Sequence, residues 1–292
     1  MKPESSTTSN DPTTTESPVE GSSADERQKI VRERYSSTGS DSSGCCGENE
    51  SSCCDETDEY ASQTRSIYNG NLGNVTPDAD FGLGCGNPTA IASLEAGETV
   101  LDLGSGAGFD CFLAAREVGS AGQVIGVDMT PAMIEKARGN AAENGATNVE
   151  FRFGEIEHLP VADASVDVVI SNCVVNRSPD KPQASAEAYR TLRPGGRLAI
   201  SDVVLTAELP SDVRRDPDPL SVCVAGASSI SDLESMLENA GFTDISVTPK
   251  ENSEEFIREW DDERDLSEYI VSANIEGKRV RERFSQGSNS SQ

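Results

Sequence analysis

The chain has 292 residues, enough for one large α/β domain with extensions or for two small domains, and one core with polar ends is the simpler reading. Its 51 Asp and Glu stand against 24 Lys and Arg, a formal net charge of -27, so most of the surface would repel a phosphate backbone and nucleic acid is excluded as a partner. The acids run through the whole chain and 18 of the 24 basic residues are Arg, the balance of a salt-adapted, halophilic protein. No apolar run approaches the roughly 20 residues of a membrane span, and "MKPESSTTSNDPTTTESPVEGSS" has no apolar centre for a secretory signal. The expectation is a cytoplasmic protein with no membrane partner. Eight cysteines in that compartment suit metal, metalloid or redox chemistry better than a disulfide scaffold.

In chain order, residues 1–60 read as a disordered acidic Ser/Thr-rich arm, broken by a short helix in "DERQKIVRERYSS" and carrying two Cys-Cys pairs. Residues 61–204 read as the core domain, 205–279 as an extension on the substrate side, and 280–292 as a polar tail. From Thr99 short apolar runs alternate with amphipathic stretches: strand "TVLDLG", helix "GFDCFLAAREVG", strand "QVIGVD", helix "TPAMIEKARGNAAENG", strand "VEFRFGE", strand "VDVVISN", helix "KPQASAEAYRTL" and strand "GRLAISDVV". That alternation predicts βαβ units, and so a mostly parallel, Rossmann-like α/β sheet covered by helices on both faces. Beyond it come a Pro- and Asp-rich insertion, a helix in "ISDLESMLENAG", a strand in "FTDISVTPK" and a last strand in "LSEYIVSANIEG", a small α+β extension. Ligands in such a sheet bind outside the carboxyl ends of the strands.

The loop "VLDLGSGAGF" carries Asp102 and then Gly104, Gly106 and Gly108 at every second position, around Ser105. This is not the G-x-G-x-x-G spacing of a dinucleotide site. An acid heading a glycine turn suits a ligand with an ammonium group, because glycines allow close backbone approach while the carboxylate balances the cation. Asp128 ends the next strand, where an acid can accept from both ribose hydroxyls. An amine at one end and an adenosine ribose at the other describe S-adenosylmethionine. With these motifs and the "RPGG" turn, the chain resembles the class I S-adenosylmethionine-dependent methyltransferases. The resemblance implies that Asp102 and the glycines hold the methionine end, Asp128 and Met129 the ribose and adenine, and Glu155 and Ile156 the flanks of the adenine. It also places Asn172 near the sulfonium and Cys173 beside the methyl group.

Methyl transfer to oxygen or nitrogen usually needs a base to remove a proton. The one histidine, His158 in "GEIEHLP", suits a surface or cofactor-edge position better than that role. Trivalent arsenic on thiolates needs no base: it is a soft centre that prefers sulfur, and three thiolates leave its lone pair facing away from them. Cys85, Cys173 and Cys223 each lie beside small residues in a predicted loop, which would leave the sulfur accessible. Taken singly, packing explains each as well. Cys111, inside an apolar helix, reads as a packing residue. The stretches "LGCGNP", "VDMTPAMIEKAR", "ISNCVVNRSPDKP", "RPGGRLAISDVV" and "CVAGA" resemble the arsenite methyltransferases of bacteria and archaea. On that resemblance Cys85, Cys173 and Cys223 are the arsenic-binding cysteines.

An upstream family cysteine that can form a disulfide with the first falls among Cys45, Cys46, Cys53 and Cys54, whose vicinal pairs fit structural zinc poorly. They are accessory or redox thiols, or a relay that passes arsenite inward. The family usually has an apolar residue where this chain has Arg177. The implied reaction is methylation of arsenite or its thiol conjugate for detoxification, reset by a thiol reductant such as thioredoxin or glutathione. The alternatives are a methyltransferase for a small carbon, oxygen or nitrogen acceptor such as a quinol, and a non-enzymatic thiol module that binds arsenite or another soft ion.

Overall fold

The computed structural model describes residues 28–29, 31–33, 35–36, 79, 85–215, 223–251, 253–261 and 264–281. The four cysteines of the arm, most of the arm itself and residues 282–292 of the tail lie outside the described residues.

The core follows the alternation read from the sequence. A short helix α1 (Pro88–Ala92) leads into β1 (Thr99–Leu103), α2 (Phe109–Val118), β2 (Gln123–Asp128), α3 (Pro131–Glu143) and β3 (Val149–Phe153). The chain then returns through β4 (Val166–Asn172), α4 (Lys181–Thr191) and the long β5 (Leu192–Leu205). Past it come α5 (Ser211–Arg215), β6 (Ser228–Ser229), α6 (Ile230–Ala240), β7 (Thr243–Pro249), α7 (Ser253–Ile257) and β8 (Ile270–Lys278). Helix starts sit where local chemistry favours them. Asn87 accepts from Ala90 N at 3.0 Å, Asp180 from Gln183 N at 3.0 Å and Ser229 from Asp232 N at 3.1 Å, each satisfying an amide that the helix cannot.

The strand order is β3-β2-β1-β4-β5-β8-β7, with the two-residue β6 pairing β5. All neighbours are parallel except β8, which runs antiparallel to both β5 and β7. The segment beyond residue 204 therefore adds strands to the same sheet. Alternation along the central strands divides the apolar residues between two faces. Leu101, Leu103, Ile125, Val127 and Val169 pack with Ala184 and Ala188 of α4 and Leu233 and Leu237 of α6. Val100, Val124, Val168 and Ile170 pack instead with Phe112 of α2 and Ile134 and Ala137 of α3.

This order matters for the site because the chain leaves β1 toward β2 on one side and comes back to β4 on the other. Leu103 and Ser171 are partners at the carboxyl ends of β1 and β4. A crevice opens there, where the connections diverge. Among the described residues, no helix is long and apolar enough to cross a membrane.

Candidate active site

The glycine loop leaves β1 with positive φ at Gly104 (69°), Gly106 (51°) and Gly108 (96°), then enters α2. A β-carbon at Gly104 would stand 2.5 Å from Val174 Cγ2, whereas one at Gly106 would meet nothing within 4 Å. Gly104 is thus required both by its backbone and by the loop after β4, while Gly106 faces open space. That space is an open pocket whose lining includes Gly104, Gly106, Asp128, Met129, Ile156 and Val174.

Asp128 stands at the end of β2. Its two oxygens accept from Gly106 N at 3.0 Å and Thr130 N at 2.8 Å, so the carboxylate is fixed at the pocket edge. Burial raises its pKa and the two amide hydrogen bonds oppose the rise. Ser105 Oγ is buried with no hydrogen-bond partner among the described residues. Asp102 is one layer down: it is 2 % exposed, lies outside the pocket lining, and its Oδ2 accepts from Cys111 Sγ at 3.2 Å. Burial, with Asp110 and Asp128 adding to it, pushes the Asp102 carboxyl well above the usual carboxylate range. Cys111 is buried among α2 packing residues, in keeping with its sequence reading.

The three candidate thiols come together on the other side of the loop after β4. Cys85, Cys173 and Cys223 belong to one apolar cluster with Val203, Leu209, Val213 and Ile257. Their exposures are 1 %, 4 % and 1 %, which corrects the expectation that loop positions would leave the sulfurs accessible. Cys85 and Cys173 are covered by the segment between β5 and α6, which itself carries Cys223 in a helical turn, and by α7, elements distant from both in sequence. Cys85 and Cys173 are joined by a disulfide with a Cα–Cα distance of 5.9 Å, and Cys223 is a thiol.

Asp202 of β5 links all three. One of its oxygens and the sulfurs of Cys85 and Cys173 lie within 4.8 Å of one another, and Cys223 Sγ is 3.8 Å from Asp202 Oδ1. The carboxylate is held by Val203 N at 2.8 Å, Asn176 N at 3.2 Å and Asn176 Nδ2 at 2.8 Å. Burial raises its pKa against those hydrogen bonds. Burial also pushes the Cys223 thiol up to about 12, with Asp202 adding to the rise and Arg177 opposing it.

Backbone geometry fixes the other two sulfurs. Cys173 has φ 55°, the left-handed region that costs a residue with a β-carbon about 1–3 kcal/mol, and its N–H donates to Ser201 O at 2.9 Å. Cys85 N donates to Asn172 Oδ1 at 3.1 Å, and Asn172 Nδ2 donates to Gly86 O at 2.8 Å and Asp110 at 3.2 Å. Behind Cys85, its carbonyl accepts from Ser272 Oγ at 2.7 Å and Lys250 Nζ at 3.3 Å. Lys250 also donates to Ser201 Oγ at 2.5 Å, and burial pulls its ammonium down to about 8.

Of the sequence-derived cofactor residues, Gly104, Gly106, Asp128, Met129 and Ile156 line the pocket. Glu155 instead pairs with Arg32 at 3.1 Å, and Asn172 bridges Asp110 in the first turn of α2 to the Cys85 loop. His158 is exposed, as its motif suggested. Sequence reading did not single out Asp202, Thr130, Glu157, Ser178, or the helical residues Gln28, Val31 and Tyr35 that also line the pocket. The spacing of Val31 and Tyr35, four apart, was the available signal for one face of a helix; Asp202 had none, since an acid within an apolar strand run is ambiguous until its neighbours are known.

A family model described as a methyltransferase domain matches residues 94–241. The arsenite methyltransferase of Halobacterium salinarum is 55% identical over 262 residues, covering 87% of this chain and 67% of that protein. The human arsenite methyltransferase is 41% identical over 152 residues, 49% of this chain and 40% of that protein, so the chain spans less than half of it. Among solved structures, an arsenic (III) S-adenosylmethionine methyltransferase from Chlamydomonas reinhardtii superposes with a TM-score of 0.57 at 35% identity, covering 75% of this chain and 73% of that one. The chain therefore belongs to the arsenite methyltransferase family, on the class I S-adenosylmethionine-dependent methyltransferase fold.

Proposed function

We propose that this protein transfers a methyl group from S-adenosylmethionine to trivalent arsenic, as arsenite or its thiol conjugate, held on the thiolates of Cys85, Cys173 and Cys223. The observation that carries the proposal is the convergence of three cysteines, from three segments far apart in sequence, beside one buried carboxylate and next to the loop that walls the glycine pocket. Taken singly each cysteine reads as packing; together they form a soft ligand set.

The pocket residues fit the cofactor. Gly106 opens onto free space, Ser105 Oγ is an orphaned buried hydroxyl, and Asp128 stands at the end of β2 with lone pairs to spare for ribose hydroxyls. In this reading Met129 and Ile156 flank the adenine, Gly104 and Gly106 line the methionine end, and Asp102, Ser105 and Gly108 support the loop from behind it. Bound there, S-adenosylmethionine supplies an electrophilic methyl group on a sulfonium centre.

The thiols orient the acceptor. With sulfur on three sides, arsenic keeps its lone pair on the fourth, and no side-chain base is needed to expose it. Each arsenite hydroxyl leaves as water with the thiol proton it meets. A Cys223 thiol held up to about 12 therefore takes part without prior ionisation. The apolar lining around the cluster excludes water from the soft centre.

The Cys85–Cys173 disulfide must be opened before arsenic can bind both sulfurs. A thiol reductant of thioredoxin or glutathione type fits that need, and the four arm cysteines Cys45, Cys46, Cys53 and Cys54 are candidates to exchange with the pair. The acidic balance of the chain supports a salt-rich cytoplasm as its location.

The test is incubation of the reduced protein with arsenite, labelled S-adenosylmethionine and thiol, followed by chromatography of arsenicals and S-adenosylhomocysteine. Both products should rise together. Cys223→Ser is expected to lower turnover roughly 100-fold or more while cofactor affinity stays within about twofold. Full arsenic methylation by Cys223→Ser would sink the three-thiolate assignment.

A further inference from the structure

Arg177 occupies the junction between the two halves of the site. It ends the 3-10 turn Val175–Arg177, four residues after Cys173 and next to Asn176, which holds Asp202. Its guanidinium donates to the Tyr35 hydroxyl, and its Cζ also lies 5.0 Å from the centroid of the Tyr35 ring. Arg177, Tyr35, Val31 and Gln28 all line the same pocket as Gly104, Gly106 and Asp128. Helical residues near the start of the chain thus face the glycine loop across the pocket.

Among the described residues, that wall has few other fastenings. Arg32 pairs with Glu155 at 3.1 Å, but both side chains are more than a third exposed, and an ion pair of that kind holds little. Tyr35 is different: burial raises its pKa, and Arg177 is the partner that opposes the rise. A cation stacked on a desolvated phenol while donating to its oxygen is among the stronger side-chain contacts available. Arg177 Nε is buried with no hydrogen-bond partner among the described residues, so the guanidinium is spent on Tyr35 at the cost of leaving one donor unmet.

We infer that Arg177 is a positioning residue for the cofactor: through Tyr35 it fastens the helical residues 28–29, 31–33 and 35–36 as a wall against the bound molecule. The inference rests on the reading of this pocket as the S-adenosylmethionine site. An apolar residue at 177 would leave the wall to the exposed Arg32 pair and to the packing of Val31. Arg177 thereby makes cofactor retention depend on a contact formed by the loop that also carries Cys173.

The experiment measures S-adenosylhomocysteine binding by calorimetry, with steady-state kinetics, on the reduced full-length chain and on Arg177→Leu, Tyr35→Leu, their double variant and Arg177→Lys. Arg177→Leu is expected to weaken binding about 10-fold and to raise KM for S-adenosylmethionine by a similar factor, with kcat at saturation within about twofold. Because the two residues act through each other, the double variant should bind no more weakly than the worse single one. Arg177→Lys, which keeps the cation, should recover part of the loss. Tyr35→Phe, which removes one oxygen from the surface of a side chain, keeps the test open if a larger change unfolds the segment, and should itself weaken binding about threefold or more. Unchanged affinity in Arg177→Leu and Tyr35→Phe would overturn the inference, as would a fall in kcat with KM unmoved, which would assign Arg177 to the thiols instead. Failure of the unaltered chain to bind S-adenosylhomocysteine at all would overturn the cofactor reading itself, and the inference with it.

Discussion

The glycine pocket and the thiol cluster stand at the same end of the sheet but are assembled in opposite ways. The pocket is local: Gly104 to Gly108 follow β1, Asp128 ends β2 and Ile156 follows β3, each at or just past the end of a strand. The thiol cluster is gathered from the approach to β1, the exit of β4 and the segment before β6, with Asp202 toward the carboxyl end of β5. The pocket is open and edged by an amide-bonded carboxylate, whereas the cluster is almost fully buried. A site that admits a large polar molecule can be built from strand ends; a dry soft-ligand site needs covering elements, which only distant chain supplies. The loop after β4 is where the two meet, through Val174 against Gly104, Asn176 on Asp202 and Arg177 on Tyr35.

If the two regions are separable, their redox behaviour should differ most. Without a thiol reductant, the Cys85–Cys173 disulfide should lower arsenite affinity roughly 100-fold or more while S-adenosylhomocysteine binding changes by less than about twofold. Parallel titrations of reduced and oxidised protein check this, and equal loss of both ligands on oxidation would break the separation.

Asp128→Ala probes the other half. On the proposed reading Asp128 accepts from the ribose hydroxyls while its oxygens hold Gly106 N and Thr130 N, so its removal should weaken cofactor binding about 10- to 100-fold, with arsenite affinity of the reduced protein unchanged. Calorimetry with each ligand separately is the measurement, and a matching drop in arsenite affinity would show that the halves are one unit.

The smallest effect concerns Lys250, which supports the Cys85 carbonyl. Its pKa falls from 10.5 to about 8 on folding. Between those values the unfolded chain holds a proton that the folded chain has lost, so this group's contribution to stability rises with pH, starting near pH 8. The stability difference between the unaltered protein and Lys250→Met, from urea midpoints, should shift in favour of lysine by about 1–2 kcal/mol between pH 7 and pH 9.5. A difference independent of pH would show that burial does not depress this ammonium.

Much of the fold was legible because its signals are periodic. Leu101 and Leu103 against Val100 announce a two-faced strand, and Asn87, Asp180 and Ser229 mark helix starts by their own side-chain chemistry. The cofactor motif was equally plain, since glycine spacing and an acid at the next strand end are local facts. The thiols were legible as a set only through family resemblance, and their burial was not: nothing near Cys85 or Cys173 says that α7 and the segment carrying Cys223 will close over them. Arg177 looked anomalous in sequence because its partner Tyr35 lies 142 residues away, in a segment whose polar surroundings suggest no docking surface.

The sequence by itself determined the order of strands and helices and the glycine loop, because these depend on residues within a few positions of one another. Tertiary structure alone decided that Asp202 would stand among the sulfurs, that Cys85 and Cys173 would be close enough to join, and that the start of the chain would wall the pocket. Those outcomes depend on which strands become neighbours and on what packs over their ends, and burial and proximity are properties of the folded chain as a whole.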